Sequence, residues 1–324
     1  MKVALVGTGG IAQAHLRTLA AEPDVEIVGH VSRSRERAAA SAQRWGGGAY
    51  TSLTNLLSTV QVEAVWITTP PHIHGELELE LIEHDVPFLV EKPLAADRET
   101  PEKIAAALQA SGLLAAVGYN FRAMDTLAGV RESLAANPPS LIMGTWHDKT
   151  PPPAWWHRQS SSGGQMVEQA THLVDLARHL VGEASCTAAS AVHRDRAAYT
   201  DLDVDTSSAA LLKFTSGAQG VFSTTCLLHG PTDVSLKFVC DGMLITLTRE
   251  GAVYELAQGR REVKLTNDSI KSENQAFLAA VRSGDRSSVF SDYADALLTH
   301  RLCFDILEAS RKQTPDTELG RDES

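Results

Sequence analysis

The chain is poor in cysteine, in aromatic residues and in positive charge. Its 324 residues hold only four cysteines, and 6% are aromatic. Cys186, Cys226, Cys240 and Cys303 form no C-x-x-C pair. Thiols this scattered exclude a disulfide frame and a zinc knot, and read as buried or idle groups in a reducing compartment. Lysine and arginine number 29 against 40 acidic residues, a net charge of −11. Nucleic acid wants a basic face, so no nucleic-acid partner is expected. No apolar run approaches the ~20 residues of a membrane span, so no membrane partner is expected either. There is no internal repeat and no low-complexity segment. A strand pattern opens at residue 3, which leaves no room for a secretory leader, and a cytoplasmic protein is expected. The remaining composition, 43% hydrophobic and 21% charged, is that of a globular protein, at a length that predicts two domains.

The most informative stretch lies at the start. Val3-Ala4-Leu5-Val6 is a short apolar run, and Gly7-Thr8-Gly9-Gly10-Ile11-Ala12 follows as G-x-G-x-x-A. Ile11, His15, Leu16 and Leu19 then repeat at helical spacing. Strand, glycine turn and helix in that order suit a dinucleotide pyrophosphate. Gly7 makes the tight turn, Gly9 lets the phosphates approach bare backbone, and Ala12 lets the helix pack close to the strand. The helix N-terminus offers free N–H groups to the anion.

The second strand is predicted at Val25–Val31. Beyond it, where an NAD enzyme carries an acid for the ribose hydroxyls, the chain has Ser32-Arg33-Ser34-Arg35. A guanidinium and hydroxyls would hold a 2′-phosphate through charge-assisted hydrogen bonds. NADP(H) is therefore expected ahead of NAD(H), which stays possible. The same residues also suit a polar helix start with Ser32 or Ser34 as N-cap. A helix over Arg35–Trp45, a loop at Gly46-Gly47-Gly48 and a helix over Leu53–Ser58 come next.

Glu63–Thr69 is a nearly continuous apolar run, as in a strand covered on both faces. It ends in Thr69-Pro70-Pro71-His72-Ile73-His74, a loop at the strand's carboxyl end, where open α/β sheets bind ligands. After a helix over Glu76–His84, the strand Val86–Val90 runs into Glu91-Lys92-Pro93. Lys92 is then either on the ligand side of the sheet or in a surface ion pair with Glu91. The Pro beside it suits a special turn, with a cis bond among the options. A helix (Pro101–Ser111), a strand (Leu113–Val117) and Gly118-Tyr119-Asn120-Phe121-Arg122 close this region. Alternation of strands and helices predicts a Rossmann-type doubly wound parallel sheet over residues 1–122.

The ordered set G-x-G-x-x-A, T-P-P-x-x-H, E-K-P and G-Y-x-x-R resembles the Gfo/Idh/MocA oxidoreductases, the family of glucose–fructose oxidoreductase and inositol dehydrogenase. The resemblance implies cofactor contacts from Gly7 to Ala12 and at Ser32, Arg33, Thr69, Pro70, His74, Glu91 and Lys92. It implies substrate contacts at Asn120 and Arg122.

The second half, 123–324, is predicted as an α+β domain. A helix over Met124–Ala136 and a strand over Leu141–His147 precede a proline loop with Trp155-Trp156-His157-Arg158. The tryptophans suit either stacking on a sugar face or anchoring of the loop. Ser160-Ser161-Ser162-Gly163-Gly164 leads into a helix expected over Gln165–Val181, which puts Glu168, His172 and Asp175 on one face. Read alone, Glu168 and His172 are as well explained by a helix-stabilising pair. The family's G-G-x-x-x-D-x-x-x-H-x-x-D is matched at Gly163, Gly164, Glu168, His172 and Asp175, with Glu168 in place of the usual Asp. From Glu183 to about Leu265 strand patterns alternate with turns, predicting a large, mainly antiparallel open sheet. Two helices, Ser272–Ser283 and Tyr293–Lys312, end the chain, the last able to pack back on the first domain, and the polar tail after Gln313 is expected to fray.

The resemblance implies an NADP-dependent dehydrogenase that moves a hydride between nicotinamide and a secondary hydroxyl of a sugar, polyol or cyclic alcohol, without a metal. His172 or Lys92 would take the proton, and Lys92 would also stabilise alkoxide charge. Glu168 and Asp175 would orient His172 or hold hydroxyls, in a site assembled from both halves of the chain. It also implies a homo-oligomer, a dimer or tetramer formed through the open sheet. Two other readings stay open: a redox-assisted glycoside hydrolase, and a cofactor-sensing regulator without chemistry.

Overall fold

The computed structural model describes residues 1–312, and the tail from Gln313 lies outside them. The chain divides into two compact units, one of residues 1–130, 160–162 and 263–300, the other of the remainder. The first part of the chain runs β1 (Lys2–Val6), α1 (Gly10–Leu19), β2 (Glu26–Val31), α2 (Arg35–Trp45), β3 (Gly48–Tyr50), α3 (Leu53–Thr59), β4 (Ala64–Ile67), α4 (Glu76–Glu83), β5 (Phe88–Val90), α5 (Glu99–Ser111), β6 (Ala115–Val117) and α6 (Leu127–Ala136). Then come β7 (Leu141–His147), α7 (Gln159–Ser162), α8 (Gln165–Glu168) and α9 (Thr171–Val181). The strands β8 (Ala184–Val192), β9 (Ser207–Phe214), β10 (Gln219–Thr225), β11 (Asp233–Cys240), β12 (Met243–Thr248), β13 (Gly251–Leu256) and β14 (Gly259–Lys264) follow, and α10 (Ser269–Ser283) and α11 (Tyr293–Lys312) end the described chain.

In the first unit β1 to β6 form a six-stranded parallel sheet in the order β3-β2-β1-β4-β5-β6. The apolar runs of β4 and β5 are buried along their whole length, as strands covered on both faces must be. One core layer holds Val6, Ile67, Phe88 and Ile104 together with Tyr293 and Leu297 from the start of α11. The other holds Leu5, Leu16, Leu19 and Trp66 with Phe277 and Leu278 of α10. Residues far apart in sequence thus complete the dinucleotide-type fold. The glycine run at 46–48, expected as a loop, ends in the edge strand β3, where Gly48 pairs with Gly29. A three-residue strand, Gly-Ala-Tyr, is too short for an alternation to be read.

In the second unit eight strands form one sheet in the order β14-β13-β12-β11-β7-β10-β9-β8. Most neighbours run antiparallel, but β7 and β10 at its middle run parallel, Leu141 against Gln219 through His147 against Thr225. Side chains alternate across β9 and β10: Leu212, Phe214 and Phe222 are buried while Leu211 and Val221 are exposed. The helix expected over Gln165–Val181 is two helices. The Gln165 carbonyl accepts the N–H of both Gln169 and Ala170, a wide turn that closes α8 before α9 starts. Gly163 and Gly164, with φ of 76° and 83°, feed the chain into α8.

Candidate active site

Four of the sequence-predicted clusters lie at the carboxyl ends of β1, β2, β4 and β5, adjacent in the first unit's sheet. At the end of β1, Gly7 has φ +108°, and a Cβ there would lie 2.5 Å from Thr68 Oγ1 and 2.7 Å from the Thr68 carbonyl oxygen. Only glycine fits this turn. Its N–H donates to the Val31 carbonyl at 2.9 Å, which ties the turn to β2. A Cβ at Gly9 or Gly10 would meet nothing within 4 Å. The α1 N-terminus has no side-chain cap, so its first N–H groups are left for an anion. Ala12 is fully buried on the inner face of α1, whereas Thr8 is half-buried and Ile11 exposed. This cradle fits a dinucleotide pyrophosphate.

After β2, Ser34 is the N-cap of α2, its hydroxyl accepting the Arg37 N–H, and the Ser32 hydroxyl accepts the Ser34 N–H at 3.3 Å. Arg33 is exposed. After β4, Thr69 and Pro70 are half-buried, and His74 is buried. The two His74 ring nitrogens face the carbonyls of Leu94 and Thr69, each at 3.1 Å, so His74 joins the proline loop to the turn that follows Lys92. Glu78 stands 3.7 Å away with no exposure, and burial pushes its carboxyl up while the His74 imidazole pulls it back.

At the end of β5 the Lys92–Pro93 peptide is cis. Glu91 is buried, and its Oε2 accepts the backbone N–H of Lys92 at 3.2 Å. The side chain of Lys92 is half-buried. Beyond β6, Asn120 donates to the Ser269 hydroxyl at 3.3 Å. Arg122 is buried, paired with Asp295 at 2.5 Å and bonded to the Phe290 carbonyl at 3.2 Å. It ties the chain after β6 to the first turn of α11 and to the segment leading into it.

The other group lies in the second unit. The break before α9 takes Glu168 off the helix that carries His172 and Asp175, so the three do not share one helix face. Glu168 Oε2 accepts the indole N–H of Trp156 at 2.8 Å. Trp156 is 1% exposed, packed with Leu202, Val204 and Cys226, and leaves no face for stacking on a ligand; Trp155 packs half-buried at the edge of that cluster. His172 is buried on α9 and lies flat against Trp146, ring centroids 5.9 Å apart at 13°. The Arg249 guanidinium covers Trp146 at 5.0 Å. Asp175 is 1% exposed beside Cys303, whose thiol is pushed up to about 12, chiefly by burial. Such a thiol is inert. All four cysteines are free.

Sequence reasoning missed three residues. Trp146 sits in the strand over Leu141–His147, which carries no motif. His15 was counted within the apolar repeat of α1, and Asn274 lies in a helix with no motif. The signal for His15 was a polar side chain on a stripe that has to be buried. Among the described residues no helix is long and apolar enough to cross a membrane, and no three His, Cys, Asp or Glu side chains gather as a metal would need.

A glycine cradle on a parallel sheet with order 3-2-1-4-5-6 defines a dinucleotide-binding fold. Comparison with known proteins gives the family. Residues 1–119 match the oxidoreductase family with an NAD-binding Rossmann fold, and residues 138–245 match the GFO/IDH/MocA C-terminal domain. The chain belongs to the Gfo/Idh/MocA family, and it is an NAD(P)-dependent oxidoreductase. It is 25% identical over 295 residues to the 4-carboxy-2-hydroxymuconate-6-semialdehyde dehydrogenase of a Sphingobium species, covering 88% of this chain and 91% of that one. It is 24% identical over 314 residues to the levoglucosan dehydrogenase of Pseudarthrobacter phenanthrenivorans, covering 86% of this chain and 79% of that one. Among solved structures, a levoglucosan dehydrogenase complexed with NADH and levoglucosan superposes with a TM-score of 0.85 at 22% identity, covering 97% and 98% of the two chains. A 3-ketoreductase from Actinomadura kijaniata, complexed with NADP and TDP-benzene, gives 0.84 at 20% identity, covering 95% and 97%. These structural likenesses show the shared fold.

Proposed function

We propose that the protein is an NADP(H)-preferring dehydrogenase acting on a secondary hydroxyl of a sugar, polyol or cyclic alcohol. The observation that carries this reading is that the glycine cradle and Lys92 share the carboxyl edge of one parallel sheet, with Lys92 held at its backbone by Glu91. The first N–H groups of α1 hold the pyrophosphate, while Thr69, Pro70 and Glu91 border the cofactor. Arg33, exposed beside Ser32 with no acid nearby in the turn, binds a 2′-phosphate and gives the NADP preference. When bound, the nicotinamide supplies the acceptor or donor of the hydride. Lys92 donates a hydrogen bond to the reacting oxygen and stabilises alkoxide charge. His172, held flat by Trp146, takes the hydroxyl proton in oxidation and returns it in reduction. Asp175 keeps His172 oriented. Glu168, engaged by Trp156, fixes the tryptophan loop rather than reaching a substrate hydroxyl.

The substrate class draws on the chain's relatives, among them a levoglucosan dehydrogenase. The protein acts as an oligomer, with the exposed face of the second unit's sheet against a second copy. The test is nicotinamide reduction followed by absorbance over a panel of polyols, inositols and anhydrosugars, with NADP and with NAD. Turnover with NADP on at least one member is expected. Cleavage of a glycoside with no net change in the nicotinamide would overturn the reading in favour of a redox-assisted hydrolase.

A further inference from the structure

Behind the Lys92 turn runs a string of polar groups through an otherwise apolar layer. His15, on α1, has no exposure. Its Nε2 lies 3.0 Å from Glu91 Oε1, and its Nδ1 lies 2.8 Å from Asn274 Oδ1 on α10. The orientation of the Asn274 amide follows from its other partners. Trp66 Nε1, which can only donate, points at the same Oδ1 at 2.8 Å. Asn274 Nδ2 donates to the Thr18 hydroxyl at 2.5 Å, and that hydroxyl donates to the His15 carbonyl at 2.9 Å. The amide oxygen therefore faces His15, and His15 Nδ1 must carry a hydrogen. A single proton is then shared along the remaining contact, between His15 Nε2 and Glu91 Oε1. The other oxygen of Glu91 accepts the Lys92 backbone N–H at 3.2 Å. On its open side the carboxylate rests on bare backbone: a Cβ at Gly118 would lie 2.9 Å from the Glu91 carboxyl carbon.

Burying five polar side chains between a sheet and two helices costs desolvation that an apolar layer would avoid. The string has a definite course, from α1 to the Lys92 backbone. We infer that His15, its tautomer set by Asn274, is a positioning residue for Lys92 and acts through Glu91. It touches neither substrate nor cofactor. The helix that opens the glycine cradle is thereby bonded to the backbone of the lysine at the end of β5, so the anion-binding turn and the amine are held in one register. Misplacing a reacting group by about 1 Å costs on the order of 10²-fold in rate. The inference rests on the proposed role of Lys92 in hydride transfer.

The test uses the full-length protein with NADP. His15→Phe fills the volume without a polar atom, and His15→Gln keeps an N–H donor for Glu91. Positioning predicts that His15→Phe lowers kcat by about 10- to 100-fold while substrate KM and NADP(H) affinity stay within about threefold, and that His15→Gln restores most of kcat. The rate of amine labelling at Lys92, read by quantitative mass spectrometry without substrate, should change severalfold in His15→Phe and return towards wild type in His15→Gln. Should His15→Phe fail to fold, His15→Met, apolar and able to fill an irregular space, carries the same comparison. An unchanged kcat in a wild-type background that turns over overturns the inference. Equal losses of kcat, cofactor affinity and thermal stability without rescue by glutamine also overturn it, since they mark a structural role alone. If the wild-type protein turns over no substrate, the functional reading has failed, and the labelling decides alone: a changed rate upholds positioning and an unchanged rate overturns it.

Discussion

At the scale of single residues, the proposed preference for NADP(H) rests on Arg33. It is exposed, next to a serine whose hydroxyl is half engaged by the backbone of Ser34. A guanidinium is permanently charged and matches phosphate oxygens in a fork, whereas a carboxylate at the same place would repel them. NADP(H) should therefore bind more tightly than NAD(H), and Arg33→Asp should reverse the order in a fluorescence titration of both. Equal or tighter NAD(H) binding by the unmodified protein would contradict the assignment. Gly7 was legible as a single letter because its turn, closed against Thr68, admits one residue type. His15 and Asn274 were not, because their contact spans the sequence and depends on which helix covers which sheet face.

At the scale of elements, alternation and apolar runs made the parallel sheet readable. Strands buried on both faces leave continuous apolar segments, and β4 and β5 are such segments. Tyr293–Lys312 reads as a helix and is one, and the hairpin-spaced strands after residue 183 are there. Two features resisted. The break between α8 and α9 is a matter of one carbonyl serving two N–H groups, and no residue between Gln165 and Thr171 signals it. The parallel pairing of β7 with β10 brings together strands separated by a long connection, and local pattern carries no information about such partners. The break has a consequence for the site, since it moves Glu168 onto the tryptophan loop and leaves His172 and Asp175 as the pair that shares α9.

At the scale of the whole molecule, the exposed sheet face and the chemistry each give a test. Leu211 and Val221, 50% and 40% exposed, stand opposite each other on paired strands. Apolar pairs on an open sheet face mark an association surface. The protein should sediment as a dimer or tetramer at micromolar concentration, and the double change Leu211→Glu with Val221→Glu should shift it towards monomer. A monomeric wild-type protein would contradict the assembly. The central claim is that Lys92 and His172 serve one hydride transfer, and steady-state turnover of single and double variants tests it most directly. Lys92→Met and His172→Ala should each lower kcat by ~10²-fold or more, the usual scale for losing a charge-stabilising or proton-transferring group. NADP(H) affinity should stay near wild type, because the proposed pyrophosphate cradle lies at the α1 N-terminus. The double variant should lose less than the product of the two single losses, as groups acting in one step do. Near-normal turnover in both single variants would contradict the account.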